Sequence, residues 1–401
     1  MRILTFHNLP SGGAKRALFE WIHRLSRVHT VDVHTLSTAD RGFLDLHPFS
    51  RAYHVHDFVP HRLFTSPLGR LNQLQYWRNL VDLDTIASQM GETIDWRQYD
   101  VAFLNPCMYT FMPALARYAQ VPAVYYLHEP FGPTFKRHIE RPYQSGATIR
   151  SIARRISLLR LAYNCRLEAV RRIGISRVAL LLANSEYTRK QIQEAYGVSA
   201  VVCRYGVNPE AFRPLPGMNK QNALISVGAM TPRKGFDFLI ESLAEIPAAV
   251  RPALRIASNG STSEEVAYIR ALAAKSDVRL QMLWNLDTEE LCVEYNQARL
   301  CIYSPVMEPF GLVPLEAMAC GTPVVAVAEG GVRESVVHGV TGLLTKRDPK
   351  LFAEAIRELL ADPHRLRAYG VQARDYVLRN WSWDTSATEL ESHLRQAASV
   401  A

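Results

Sequence analysis

Two carboxylates, Glu308 and Glu316, are separated by seven residues, with Phe310-Gly311-Leu312 between them. A helix-like run (Val313–Ala319), Gly321-Thr322-Pro323, an apolar strand (Val324–Val327) and the pair Gly330-Gly331 follow. In this pattern a parallel sheet presents a polar ligand at the carboxyl ends of its strands. A loop that opens a helix offers unpaired backbone N–H groups and the positive end of the helix dipole, both suited to an anion. An ionised carboxylate accepts up to about four hydrogen bonds, which suits hydroxyl-rich groups. A ligand carrying both phosphate and hydroxyls fits the pair. Arg233-Lys234, 75 residues before Glu308, adds two cations in the loop Gly228–Lys234, between a strand (Ala223–Val227) and a helix that Gly235 opens (Phe236–Ala244). A lysine point charge and an arginine fork at that place can neutralise a diphosphate.

Such residues need alternating strands and helices to hold them, and the chain supplies that alternation twice. Met1–His7 reads as a strand, Leu9–Gly13 as a loop, and Ala14, Ala17, Leu18, Ile22 and Leu25 recur at helical spacing. Gly12-Gly13 is less specific than a full G-x-G-x-x-G and fits either a tight turn or a nearby phosphate. Val28–Leu36, Val101–Asn105 and Pro122–Leu127 are further strands. His128-Glu129-Pro130 ends the last of these, where a histidine either faces the ligand crevice or caps a loop. Val178–Leu182 and Val201–Arg204 are strands flanking a helix, Glu186–Tyr196, with Ser185 as its N-cap. A Pro/Gly-rich crossing from Tyr205 to Gly217 marks a hinge. Leu254–Ser258, Val278–Leu283, a helix from Thr288 and Arg299–Tyr303 then repeat the alternation, and Thr385–Gln396 is a last helix.

Residues 38–98 carry no readable alternation. They contain His47, His54, His56 and His61. His54 and His56 would share one strand face, but no Cys or carboxylate cluster completes a metal site. Asp82 and Asp84 lie in a helix-like run, where they would point to different faces as surface charges.

At 401 residues, with 48% hydrophobic and 21% charged residues, the chain exceeds one core and fits two soluble domains. No apolar run reaches the roughly 18–20 residues of a membrane span, and the N-terminus reads as a strand, not a secretory signal. The six scattered cysteines resemble buried thiols of a reducing compartment, so a cytoplasmic location is expected. Net charge is +8, and residues 131–177 alone carry eleven basic side chains against two acidic ones. Within them Ile149, Ile152, Ile156, Leu159, Tyr163, Leu167 and Val170 form a helical stripe with arginines on the other face. That helix, 148–173, either packs its stripe on the core with solvated arginines or meets an anionic membrane surface or acceptor. Nucleic acid is not expected, since interleaved aromatics and binding motifs are missing.

GGAKR, YLHEP, ANSEYTRKQI, YGVNPEAF, SVGAMTPRKGFDFLIESL and EPFGLVPLEAMACGTPVVA, followed by GGVRE and TGLL, occur in order over nearly the whole chain. Together they resemble the retaining family-4 glycosyltransferases. The resemblance implies a GT-B fold: two Rossmann-like α/β domains with parallel sheets, 1–205 on the acceptor side and 206–380 on the nucleotide-sugar side, facing across a cleft. Helix 381–401 would return to the first domain. It implies transfer of a sugar, with retention and no required metal or cofactor, from a nucleoside-diphosphate sugar to a lipid-linked or polysaccharide acceptor. Arg233 and Lys234 would then hold the diphosphate beside Gly12 and Gly13. Glu316 would take the ribose hydroxyls, Glu308 with Phe310, Gly311 and Leu312 the donor sugar, and His128 would lie near the anomeric centre. The expected location is cytoplasmic, on the inner membrane face if helix 148–173 binds lipid. Lys15 departs from the Glu that many members carry there, and Trp284-Asn285 replaces a common Gly. Competing classes are a GT-B epimerase or phosphorylase and a catalytically silent nucleotide-sugar-binding protein.

Overall fold

The computed structural model describes residues 1–65, 71–130, 139–144 and 158–399. It contains two parallel sheets. The first has seven strands in the order β3-β2-β1-β4-β5-β6-β7: β1 (Arg2–Asn8), β2 (Thr30–Leu36), β3 (Ala52–His56), β4 (Val101–Cys107), β5 (Ala123–Leu127), β6 (Leu180–Ala183) and β7 (Val201–Val202). Helices α1 (Gly13–Leu25), α2 (Asn72–Thr93), α3 (Leu158–Arg177) and α4 (Glu186–Tyr196) belong to this half. The second sheet has the order β10-β9-β8-β11-β12-β13: β8 (Ala223–Val227), β9 (Ala253–Ser258), β10 (Leu280–Trp284), β11 (Leu300–Tyr303), β12 (Val324–Val327) and β13 (Gly342–Thr345). Its helices are α5 (Phe236–Ala244), α6 (Ser263–Lys275), α7 (Thr288–Gln297), α8 (Leu312–Ala319), α9 (Val332–Ser335), α10 (Pro349–Ala361) and α11 (Pro363–Asn380). The last helix, α12 (Trp383–Ala398), packs against α1.

Central strands such as β1, β4 and β12 are buried along nearly their whole length, as parallel strands covered by helices on both faces are, and β12 is apolar throughout. Local chemistry sets the helix ends. The Ser185 hydroxyl accepts the Thr188 N–H at 3.0 Å to start α4, and Gly197, at φ 70°, ends it. Asp287 and Glu290 form a reciprocal capping box on α7.

Strand order reverses between β1 and β4 in one sheet and between β8 and β11 in the other. Ligand crevices of open α/β sheets lie at such switch points, outside the carboxyl ends of the strands. Gly12-Gly13 joins the loop after β1 to the start of α1; the segments after β8 and β11 carry Arg233-Lys234 and Glu308. Topology thus brings the sequence-predicted loops to the two places where a ligand is best received.

The chain passes twice between the halves, and the passages lie side by side: the Val207 N–H donates to the Trp381 carbonyl at 2.9 Å. A Cβ on Gly206 would sit 2.4 Å from the Trp383 backbone nitrogen, so only glycine permits this approach. Trp21, Tyr205 and Trp383 pack there with ring centroids about 6 Å apart. The buried Trp21 indole N–H donates to the Ser386 hydroxyl at 2.8 Å, fixing α12 on α1.

The segment 38–98 contributes an edge strand, β3, and the 22-residue helix α2. His54 and His56 do share a face, stacked against His34 with centroids 4.5 and 5.3 Å away. Asp82 and Asp84 take separate partners: Asp82 pairs with His61 at 2.9 Å, Asp84 with Tyr118 and Arg117.

The expected helix over 148–173 is seen as α3; residues 148–157 lie outside the described residues. Its stripe is buried at Leu167 and Val170, but Leu159 is exposed, as are Leu158 and Leu161. The arginines are not all solvated either. Arg171 is buried, donating to the Thr110 carbonyl at 3.0 Å and lying over the Phe111 ring. No helix among the described residues is long and apolar enough to cross a membrane.

Candidate active site

Between the facing carboxyl ends of the sheets lies a cavity of about 430 Å³. Gly12, Gly13, His128, Lys234, Glu308, Phe310, Gly311, Leu312 and Glu316 all line it. Arg233 does not; it reaches Glu129, which does.

Lys234 ends a 3-10 turn, Pro232–Lys234, that Gly235 closes at φ 67°. A Cβ on Gly235 would meet the Ser304 carbonyl at 2.6 Å, so the glycine seats this turn against the loop after β11. The Lys234 ammonium donates to Glu308 Oε1 at 2.8 Å, and Arg233 Nη1 donates to Glu129 Oε1 at 2.8 Å. Burial pushes the Glu308 carboxyl upward, but Lys234, aided by Arg233, outweighs it and leaves the group below the ordinary carboxylate range. Glu308 is therefore an anion.

The Glu308 loop is held from behind. Gly331 N–H donates to the Glu308 carbonyl at 2.9 Å, and a Cβ on Gly330 would lie 2.2 Å from that carbonyl oxygen. The Gly-Gly pair is thus the surface on which the carboxylate loop rests. Gly311, at φ 100°, opens α8, whose first N–H groups border the same cavity.

Glu316, inside α8, accepts the Tyr295 hydroxyl at 3.0 Å on Oε2 and has Arg16 Nε 4.0 Å from Oε1. Burial raises its carboxyl above the usual range, against the pull of Arg16 and Tyr295. The two glutamates consequently differ: Glu308 is held low by two cations, whereas burial holds Glu316 high with one tyrosine hydroxyl and a more distant arginine as its partners.

His128 stands at the end of β5, stacked among Trp21, Tyr126 and Tyr205. Nδ1 bonds the Tyr205 hydroxyl, and Nε2 has no hydrogen-bond partner among the described residues. Burial drops the imidazole to about 3, so it is neutral near pH 7. A neutral ring with one nitrogen engaged presents the other to a ligand.

Arg16, Glu129, Tyr205 and Tyr295 belong to this site without having been assigned to it from sequence. Arg16 and Glu129 lie inside quoted motifs, GGAKR and YLHEP, but their partners sit on the opposite half of the molecule. Tyr205 begins another such motif, YGVNPEAF, but reads there as part of the hinge; Tyr295 carried no signal beyond being aromatic.

Two facing parallel-sheet halves with a cleft at their switch points define the GT-B architecture. Residues 11–211 match the model of Glycosyltransferase Family 4, and residues 207–376 match that of Glycosyl transferases group 1. The chain belongs to glycosyltransferase family 4. It is 32% identical over 245 residues to a GDP-mannose-dependent alpha-(1-6)-phosphatidylinositol monomannoside mannosyltransferase of Mycolicibacterium smegmatis, covering 55% of this chain and 63% of the relative. It is 33% identical over 264 residues to a D-inositol 3-phosphate glycosyltransferase of Thermobispora bispora, covering 59% and 61%. The chain thus spans somewhat less than two thirds of these relatives. Among solved structures, it is similar to Anabaena HepE in complex with UDP and glucose (TM-score 0.74, 19% identity, 98% of this chain and 99% of that one). Sucrose-phosphate synthase from Thermosynechococcus elongatus gives TM-score 0.74 at 20% identity, with 100% of both chains covered.

Proposed function

We propose that the protein is a retaining glycosyltransferase that moves a sugar from a nucleoside-diphosphate sugar to a lipid-linked or polysaccharide acceptor, without a required metal. One observation carries the reading: a single cavity joins a cationic pole at Lys234, with Arg233 beside it, to the Glu308 carboxylate and, further along, to the buried Glu316 with its Tyr295 and Arg16 partners. That order of charges matches diphosphate, sugar and ribose.

In this reading Glu129 and Glu308 occupy the two cations until a diphosphate competes for them. The leaving diphosphate gains charge in the transition state, and Arg233, Lys234 and the N–H groups opening α8 stabilise it, usually the largest catalytic contribution. Gly12 and Gly13 leave room for the diphosphate at the start of α1. Glu316 takes the ribose hydroxyls. Glu308, with the Phe310-Gly311-Leu312 backbone, takes the sugar hydroxyls, and the open nitrogen of His128 takes one near the anomeric carbon. The acceptor attacks from the leaving-group side and gives its proton to the departing phosphate, so no protein nucleophile is invoked. A relative whose name reads GDP-mannose-dependent supports a nucleotide-sugar donor.

A donor panel of UDP-, GDP- and ADP-sugars, read by released nucleoside diphosphate, tests the proposal. Donor consumption without any acceptor or water dependence would point to an epimerase. Phosphate-dependent turnover would mark a phosphorylase, and hydrolysis unchanged in Glu308→Ala would refute the assigned roles.

Membrane association at an anionic cytoplasmic face is proposed from α3, which exposes Leu158 and Leu161 beside Arg160 and Arg166. Co-sedimentation with anionic but not neutral vesicles, weakening with salt, is expected. Equal binding to both vesicle types would refute it.

A further inference from the structure

Arg141 stands within the most basic part of the sequence, where arginines are ordinarily solvated, yet it is only 3% exposed. It reaches from the first half of the molecule into the second. Its Nε donates to both Glu265 oxygens at 3.2 and 3.1 Å, and Nη2 donates to Glu265 Oε1 at 2.8 Å. Nη1 and Nη2 bond Asp237, Nη2 also reaches the Pro232 carbonyl at 3.3 Å, and the guanidinium lies over the Tyr268 ring at 5.0 Å. The Tyr143 hydroxyl, two residues on, donates to Glu265 Oε2 at 2.5 Å.

The targets of this fork are not scattered. Pro232 opens the turn that carries Arg233 and Lys234, Asp237 lies in the first turn of α5 directly after it, and Glu265 lies in the first turn of α6. The cation-bearing turn is therefore gripped from the acceptor-side half at two points, by Glu129 through Arg233 and by Arg141 through Pro232 and Asp237. The two grips differ when a diphosphate arrives. Glu129 and a phosphate oxygen ask for the same Arg233 donors, so the ligand weakens the first grip. Among the described residues the partners of the Arg141 fork, Glu265, Asp237, the Pro232 carbonyl and Tyr268, do not line the cavity, so that competition leaves the fork in place. A lysine point charge could not replace it, because five planar donors serve two carboxylates and a carbonyl at once.

We propose that Arg141 is a positioning residue for the donor diphosphate: acting through Asp237, Glu265 and the Pro232 carbonyl, it holds the 232–237 turn so that Arg233 and Lys234 stay aimed into the cleft after Glu129 is displaced. The proposal rests on the glycosyltransferase reading above. It separates phosphate recognition from base and ribose recognition, which use other elements.

Titration calorimetry of uridine, guanosine and adenosine mono- and diphosphates reads that separation. In wild type the fitting base binds more tightly as diphosphate than as monophosphate. In Arg141→Ala that preference shrinks about tenfold, a coupling of ordinary size, while monophosphate affinity stays within about twofold. Arg141→Lys gives an intermediate value. Equal losses for both nucleotides, as a merely structural role predicts, or an unchanged preference, overturn the proposal. If Arg141→Ala does not fold, Asp237→Asn carries the same comparison, because its side chain is 22% exposed and the substitution is isosteric. Wild type that binds none of the diphosphates sinks the glycosyltransferase reading itself. Wild type that discriminates, with variants that discriminate equally, sinks only the role of Arg141.

Discussion

Gly330→Ala is the sharpest test of how the carboxylate loop is held. Gly330 has φ 70°, and an added Cβ would lie 2.2 Å from the Glu308 carbonyl oxygen and 2.9 Å from its nitrogen. Real Cβ atoms essentially never come within 3.0 Å of such atoms, so the Glu308 backbone must retreat by at least the difference, 0.8 Å. The substitution costs about 1–2 kcal/mol for a left-handed non-glycine residue. A displacement near 1 Å of a group that must meet the reacting sugar costs roughly 10²-fold in rate. Gly339→Ala supplies the control, because φ is 78° there and no atom lies within 4 Å of the new Cβ. It should show only the left-handed part of the loss, about 1–2 kcal/mol, and unaltered turnover. The assay is release of nucleoside diphosphate from the preferred donor, with urea unfolding of each variant. If Gly330→Ala retains kcat/KM within about threefold of Gly339→Ala, the Gly-Gly support of Glu308 is refuted, since the predicted gap is roughly 10²-fold.

Lys234→Ala should lower kcat by about 10²–10³-fold, the usual loss for one preorganised charge-stabilising donor, in the same release assay. Stability should fall with acid through the buried histidines. His34 and His128 are pushed down to about 3 and His7 well below its ordinary value, chiefly by burial. Their folded values lie below the unfolded one, so the unfolded chain binds the extra protons. Each therefore removes about 1.4 kcal/mol per pH unit as pH falls below about 6.5, down toward its folded value. Urea midpoints at pH 7.5 and 5.5 measure this, and equal midpoints would contradict it. Trp383→Ala should destabilise by about 3–5 kcal/mol, because it empties a fully buried site between α1 and α12; chemical denaturation checks it.

The sequence by itself determined the local half of this protein. The alternation of strands and helices, the start of α4 at Ser185, the bounds of α5, β8 and β12 and the loops carrying Arg233-Lys234 and Glu308 were all legible. Those features depend on hydropathy period, capping side chains and glycine, which act over a few residues. The long-range half was not legible. Arg141 reads as one more solvated charge in a basic patch, and only the facing of the two halves buries it between Asp237 and Glu265. Arg16 meets Glu316 across the cleft, and Glu129 meets Arg233. Cys292 and Cys320, scattered in sequence, lie 3.8 Å apart sulfur to sulfur. A buried charge is tolerated only where an opposite charge or hydrogen-bond partner meets it. Which residue does so is decided by how the two sheets dock and by the double crossing at Val207 and Trp381, a property of the tertiary structure alone.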